Sequence, residues 1–447
     1  MASLTILDLS WNNIDGGVPP ELGSLRELMF LDLSHNKLTG PLPGSLSGLS
    51  ITRLDLLSLI LVRLPPLPSS FSSPALVCKR WHRIVRDPGF LCRLRAFHRA
   101  LPVLGFFHNS PDFPNFVAIQ GMSGISIAAA VRDLRMDVAG GMWWFVDCRH
   151  GRALLRSRDW ADLLVWDPIT SHRSFIEVPD QAREGAFDCN AAVLRPSGAT
   201  GCSGDCRSSP FNVVLVFTSG SCAIACMYSS VTRAWGEFVS IPTPSLQCEV
   251  TEEPGALVGD ELYWLLGESS ILEFRLNDQR LTLVERPLEK FSVYKRNIRV
   301  VKSERGSGLG LAAVKNFSLH LWAREADHHD TAKWVLCREI ELNTLLELPL
   351  TMPRVGSIPV WISGLGEDGN VVFLRTTVGM FIFWPKTMEF KMVTNNVLIK
   401  TVYPYANFYL PQGNLILEHG ISQGYNLTSI WFRADLCATI PFYVLVD

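Results

Sequence analysis

The chain has 447 residues, 47% of them hydrophobic, with 24 Phe and 13 Trp, and this supports a large packed core with room for two or three domains and argues against disorder. A net charge of −2 and the absence of a Lys/Arg block give no nucleic-acid or acidic-membrane footprint, so the expected partners are proteins or neutral ligands. The longest strongly apolar run, Leu54 to Leu64, is broken by Asp55 and Arg63 and is far short of the roughly 20 residues that a membrane span needs. Met1-Ala2-Ser3-Leu4 carries no basic run ahead of an apolar one, so a secretory leader is not expected and the chain reads as cytoplasmic, nuclear or both.

Residues 1–51 repeat with a period of 24: Leu7-Asp8-Leu9-Ser10-Trp11-Asn12 returns as Leu31-Asp32-Leu33-Ser34-His35-Asn36, and Leu22-Gly23-Ser24-Leu25 as Leu46-Ser47-Gly48-Leu49. The pattern resembles the plant-type leucine-rich repeat, whose leucines fill a solenoid core and whose Asn closes a ladder. A solenoid normally needs three or more copies, so this two-copy piece is expected to be a remnant or fused segment; a ligand-binding surface is the alternative.

Residues 52–100 carry three short helical patterns. Leu57, Ile60, Leu61 and Leu64 fall on one face before Pro65-Pro66-Leu67-Pro68 stops the helix. Ser73 caps a second helix with Pro74 in its first turn and Val77, Trp81, Ile84 and Val85 at helical spacing. Asp87-Pro88 starts a third, with Leu91, Leu94 and Phe97 on one face. So small a helical unit buries too little to stand alone, and its apolar face is expected to dock, either on a partner or on its own neighbour. Leu64-Pro65-Pro66-Leu67-Pro68-Ser69-Ser70, Leu76-Val77-Cys78-Lys79-Arg80-Trp81 and Asp87-Pro88-Gly89-Phe90-Leu91 resemble an F-box of the kind abundant in grasses. The resemblance implies three helices that bind the Skp adaptor, and through it the cullin, of an SCF-type cullin–RING ubiquitin ligase. By the same resemblance Leu57, Leu61, Leu64, Pro65, Val77, Cys78 and Trp81 form the adaptor-binding surface. Thr52-Arg53-Leu54-Asp55 and Leu59 stand where the family has Leu-Pro, an acidic pair and Glu, so weakened adaptor binding is expected.

Residues 101–447 open with the strand-like Leu101-Pro102-Val103-Leu104-Gly105-Phe106-Phe107, and from about residue 140 short β-rich runs alternate with Gly, Pro, Asp and Asn turns. Five runs end on aromatic anchors, Trp166, Tyr228, Phe274, Trp322 and Phe383, spaced 46 to 62 residues apart, the size of a kelch-like propeller blade. Further hairpins lie between them, at Leu257 to Trp264 and at Gly366 to Phe373. An all-β propeller of about six four-stranded blades is therefore expected, with a sandwich or two smaller β domains as the alternative. Asp147-Cys148-Arg149-His150-Gly151-Arg152 and Leu164-Val165-Trp166-Asp167-Pro168-Ile169-Thr170 resemble the first blade of the F-box-associated β-propeller.

The 11 cysteines suit a reducing compartment. Cys202, Cys206, Cys222 and Cys226 have the outline of a zinc site, but Cys222 and Cys226 sit in an apolar strand about 13 Å apart, too far to share an ion. His328-His329, in the charged stretch Arg324 to Asp330, reads as an exposed blade insertion. The sequons at Asn316 and Asn426 matter only in a secreted chain. No nucleophile elbow, zincin helix or phosphate loop is present, and Asp147, Asp167 and Glu237 read as turn-adjacent acids without partners. No catalytic residue, cofactor or metal is expected. The expected function is substrate recognition for the ligase, the propeller binding an unknown protein. The alternatives are a leucine-rich-repeat and propeller interaction module that no longer binds the ligase, or a propeller enzyme.

Overall fold

The computed structural model describes most of 6–39, positions 90, 94, 97 and 98, most of 102–119, positions 127, 130, 131 and 134, and 143–407 apart from loops. In the amino-terminal part, strand β1 (Ile6–Asp8) pairs in parallel with β3 (Phe30–Asp32), Leu7 opposite Leu31 and Asp8 opposite Asp32. The 24-residue period thus places each repeat beside its own copy, as a solenoid requires. Shorter strands β2 (Asp15–Gly16) and β4 (Lys37–Leu38) pair in the same sense. The three-helix F-box expected over 52–100 falls almost wholly on positions outside the described residues. Phe90, Leu94, Phe97 and His98 are helical, with Phe90 and Leu94 fully buried. Phe97, expected on the same face as Leu94, is 51% exposed.

From Val103 to Ala406 the described strands make six antiparallel sheets arranged as a propeller. A three-stranded blade unites β5 (Val103–His108) and β6 (Asn115–Ala118) with the last strand of the ring, β28 (Tyr403–Ala406). The next is β7 (Trp143–Arg149), β8 (Arg152–Ser157), β9 (Asp162–Trp166) and β10 (Arg173–Glu177). Then comes β11 (Asp188–Leu194), β12 (Asn212–Ser219) and β13 (Cys222–Ser229), whose outer neighbour is split into β14 (Ala234–Trp235) and β15 (Val239–Pro242). Four-stranded blades follow: β16 (Ala256–Val258), β17 (Glu261–Leu266), β18 (Ser270–Arg275) and β19 (Arg280–Glu285). After these come β20 (Ile298–Lys302), β21 (Leu309–Lys315), β22 (Ser318–Ala326) and β23 (Ala332–Glu341). The last are β24 (Val360–Leu365), β25 (Val372–Thr376), β26 (Met380–Trp384) and β27 (Glu389–Thr394).

The strands are nearly continuous apolar runs because each blade is covered on both faces. Successive side chains of a strand point to opposite sides. Along β12, Val213, Leu215 and Phe217 therefore enter the core shared with the preceding blade, while Val214 and Val216 enter the core shared with the following one. Leu163 and Val165 of β9 divide from Leu164 and Trp166 in the same way, as do Val372 and Leu374 of β25 from Phe373. Six such inter-blade cores close the ring.

All five aromatic anchors lie on the third strand of their blade, Trp166 on β9, Tyr228 on β13, Phe274 on β18, Trp322 on β22 and Phe383 on β26. Both expected hairpins form; the β16–β17 turn has Gly259 at φ +65°, a value that suits glycine. The Leu101 to Phe107 strand has a larger part than leading into the propeller: its register with Tyr403, Pro404 and Tyr405 closes the ring. A helix is added where none was read. Ile127, Ala130, Val131 and Leu134, at i, i+3, i+4 and i+7, are helical and buried against Leu104 and Tyr405. The stretch taken as an exposed insertion is shorter than expected, since Arg324 to Ala326 continue β22; His328 and His329 lie outside the described residues.

Candidate binding site at the inner strands of the propeller

The adaptor-binding residues read from the sequence, Leu57, Leu61, Leu64, Pro65, Val77, Cys78 and Trp81, lie outside the described residues. Of the four cysteines weighed as a zinc site, Cys202 and Cys206 also lie outside them. Cys222 and Cys226 occupy β13 as the strand reading required, facing Ser219 and Leu215 across the sheet. Burial pushes the Cys226 thiol up to about 12, leaving a core thiol with no tendency to ionise.

The first strands of neighbouring blades contact one another around the ring axis, and there the structure gathers charge inside otherwise apolar runs. Asp147, read as a turn-adjacent acid without a partner, is instead inside β7 beside a register shift and only 1% exposed. Its Oδ2 accepts the Val193 N–H of the next blade at 2.9 Å, and its Oδ1 lies 3.5 Å from Arg149 Nη2. Burial pushes its carboxyl up, against the opposing pull of the Arg149 guanidinium. Asp167 does cap its turn, accepting from the N–H groups of Ile169 at 2.9 Å and Thr170 at 3.2 Å.

Arg149 Nη2 donates to the Gly255 carbonyl two blades on. His150, at φ 53°, reaches back across the closing blade. Its Nδ1 lies 2.6 Å from Glu367 Oε1, and its backbone N–H donates to Glu367 Oε2 at 3.1 Å. Burial alone would push the Glu367 carboxyl up, but the hydrogen bonds and charge of His150 outweigh it and hold the group below its ordinary value. Arg299 pairs with Glu253 at 3.2 Å, joining the β20 blade to the segment ahead of β16.

Amides complete the pattern. Asn190 Nδ2 donates to the carbonyls of Thr251 at 2.7 Å and Glu253 at 2.8 Å. Asn297 Nδ2 donates to Val360 O at 2.8 Å while its Oδ1 accepts the Ile362 N–H at 2.9 Å. Asn109 holds Phe145 in the same two-sided way. Each satisfies backbone groups of a neighbouring blade that no ladder reaches.

Between these strands lies a cavity of about 60 Å³ lined by Asp147, Arg149, Arg299, Lys302, Glu367 and Tyr403 among others. Burial pushes the Tyr403 hydroxyl up, so it remains a neutral hydrogen-bonding group. The cavity offers cations, acids and the Tyr403 hydroxyl around a small polar space. It shows no cluster of three or more His, Cys, Asp or Glu able to hold a metal among the described residues. None of these meetings is legible in the sequence, although Asp147, Arg149 and His150 lie within four positions of one another. The available signal was a charged pair inside an apolar strand, Val146-Asp147-Cys148-Arg149.

Fold and site define a six-bladed propeller whose blades are bolted together by inner-strand polar groups. The protein-family comparison gives its place: residues 144–411 match the model of the family described as F-box protein AT5G49610-like, beta-propeller, and the chain belongs to that family. Residues 3–25 and 27–49 each match a leucine-rich repeat. No curated protein matches. Among solved structures, the extracellular domain of a putative one-component system of B. thetaiotaomicron is 12% identical at TM-score 0.31, covering 58% of this chain and 28% of that one. The WD40 domain of SCAP from fission yeast is 12% identical at TM-score 0.32, covering 57% and 56%. Hsv2 of Kluyveromyces lactis is 10% identical at TM-score 0.31, covering 58% and 66%. The chain thus spans about a quarter of the length of the first of these. Among the described residues no helix is long and apolar enough to cross a membrane.

Proposed function

We propose that this chain is a substrate-recognition subunit of an SCF-type cullin–RING ubiquitin ligase, acting in the cytoplasm or nucleus. The observation that carries the reading is the F-box-protein propeller family match over 144–411, joined to the F-box-like residues of 52–100. In this reading Leu57, Leu61, Leu64, Pro65, Val77, Cys78 and Trp81 meet a Skp-type adaptor, and cullin is reached through it. The propeller binds the protein to be modified. The chain performs no chemistry; ubiquitin transfer belongs to its partners. Interface energy concentrates in buried aliphatic and aromatic anchors, and the half of the motif with Trp81 is intact. The missing opener and Leu59 each remove about 1–2 kcal/mol, roughly tenfold in affinity.

Calorimetry of the full chain against a plant Skp adaptor tests this, with Leu64→Asp as control. Weakened but measurable binding, lost in the control, is expected. No heat above the control at tens of micromolar protein, on the order of the weakened affinity, refutes the ligase reading. That result would favour a leucine-rich-repeat and propeller interaction module detached from the ligase, the alternative to which Thr52-Arg53-Leu54-Asp55 points. A propeller enzyme is the least supported reading.

A further inference from the structure

The outer strand of the last four-stranded blade, β27 (Glu389–Thr394), has an open edge: it pairs with β26 and with no other strand among the described residues. Such an edge is a template for a further strand, and proteins commonly blunt it with charge. Here the apolar content is high. Met388 is 38% exposed, Phe390 41% and Met392 44%, whereas the outer strands β10 and β23 expose one large apolar side chain each, Phe175 and Leu336, and β14, β15 and β19 expose none.

Two rows run along the edge. Phe390 stands opposite Phe383, and Met392 opposite Phe381, on the side of the core shared with the β20 blade; the Phe381 and Phe390 ring centroids are 6.3 Å apart. Met388, in the turn just ahead, joins this row, its Sδ 3.1 Å from Arg338 Nη2 of the β20 blade. Glu389 and Lys391 stand opposite Trp384 and Ile382, on the other side of the sheet. The segment Met388-Glu389-Phe390-Lys391-Met392 is therefore apolar alike in both directions along one row and opposite in charge along the other.

That symmetry selects a partner. A second β27 can pair antiparallel about a two-fold axis, and because outward backbone groups recur at every second residue, the axis passes through a residue. Placed at Phe390, it sets Phe390 on its twin, Met388 on Met392, and Glu389 of each copy on Lys391 of the other. Placed one residue either way, it sets Glu389 or Lys391 on its own twin, and like charges directly opposite are destabilising. We infer that β27 is a self-association surface that joins two copies of this chain through one continuous sheet, with the Glu389–Lys391 pairs fixing the register. This does not rest on the ligase reading.

The test is sedimentation velocity of the full chain over about 2–200 µM, since one short strand lies at the small end of protein interfaces and implies a dissociation constant on the order of tens of micromolar. The weight-average mass is expected to rise from that of one chain, 49.9 kDa, toward twice that value. Glu389→Lys and Lys391→Glu each set two like-charged pairs across the axis, and each is expected to keep the wild-type circular dichroism and to weaken self-association at least about tenfold. Mixed one to one, the two variants are expected to associate about as strongly as wild type, because every charged pair across the axis is then opposite in sign. No rise in mass for wild type, a rise that either single change leaves intact, or a mixture no stronger than the separate variants overturns the inference. Adaptor binding uses a different segment, so failure here leaves the ligase reading standing.

Discussion

Replacement of Trp166 by alanine probes the core on which the ring closes. The residue is fully buried, at the end of β9, in the core shared by the β5 and β7 blades, with its ring centroid 5.9 Å from that of Phe107. Its Nε1 has no hydrogen-bond partner among the described residues, so truncation forfeits burial and leaves a cavity without also breaking a hydrogen bond. Losses of this kind cost about 3–5 kcal/mol. At about 2–4 °C per kcal/mol for domains a little smaller than this one, the midpoint should fall by about 6–20 °C. Trp166→Phe keeps an aromatic ring and removes the unpaired N–H, so its cost should stay near 1 kcal/mol. Thermal unfolding of the three proteins followed by circular dichroism gives the midpoint shifts, and chemical denaturation gives the free-energy differences. An unchanged midpoint in Trp166→Ala would move the residue from scaffold to surface, and a Phe variant as damaged as the Ala variant would show that the indole N–H is satisfied after all.

The polar bolts make their own predictions. Asn297→Ala strands the Ile362 N–H and the Val360 carbonyl in a site with no exposure, at about 1–3 kcal/mol each. A thermal midpoint within 1 °C of wild type, where a loss of about 2 kcal/mol or more is expected, would show that other groups take its place. Glu367 is held below its ordinary value of 4.5, so its contribution to stability is complete above that pH and is lost as pH falls through the folded-state value. The stability gap between wild type and Glu367→Gln should therefore be widest near neutrality and shrink on acidification below about pH 4.5; a gap that widens there would refute the assignment.

Most of the propeller was legible because a blade has a local signature. An apolar run ending in an aromatic, then a turn, is written within a few residues, and Trp166, Tyr228, Phe274, Trp322 and Phe383 all proved to mark third strands. The leucine-rich repeats were legible for the same reason, since the period itself sets the register of Leu7 on Leu31. What needed distant partners was not. Nothing near Asp147 announces Val193, nothing near His150 announces Glu367, and a buried charge resembles a turn acid until its neighbours are known. The helix through Ile127 and Leu134 could have been found, because its 3.6-residue spacing is local.

The closing blade sets a clock. Asn109 and Tyr403, which meet at 3.4 Å, are separated by 294 residues. On a ribosome adding about 5–20 residues per second, some 15–60 s pass between the emergence of β5 and that of the strand that completes its blade. Through that interval Phe106, fully buried in the finished ring and packed on Phe373 of the last four-stranded blade, has no permanent cover. The nascent chain therefore carries an unpaired edge and an open aromatic face at its head while five blades are built behind it, a form suited to chaperone capture and to misassembly between neighbouring chains. A chain cut anywhere between residues 119 and 403 would keep that state permanently, so quality control could sort whole propellers from broken ones by this one seam.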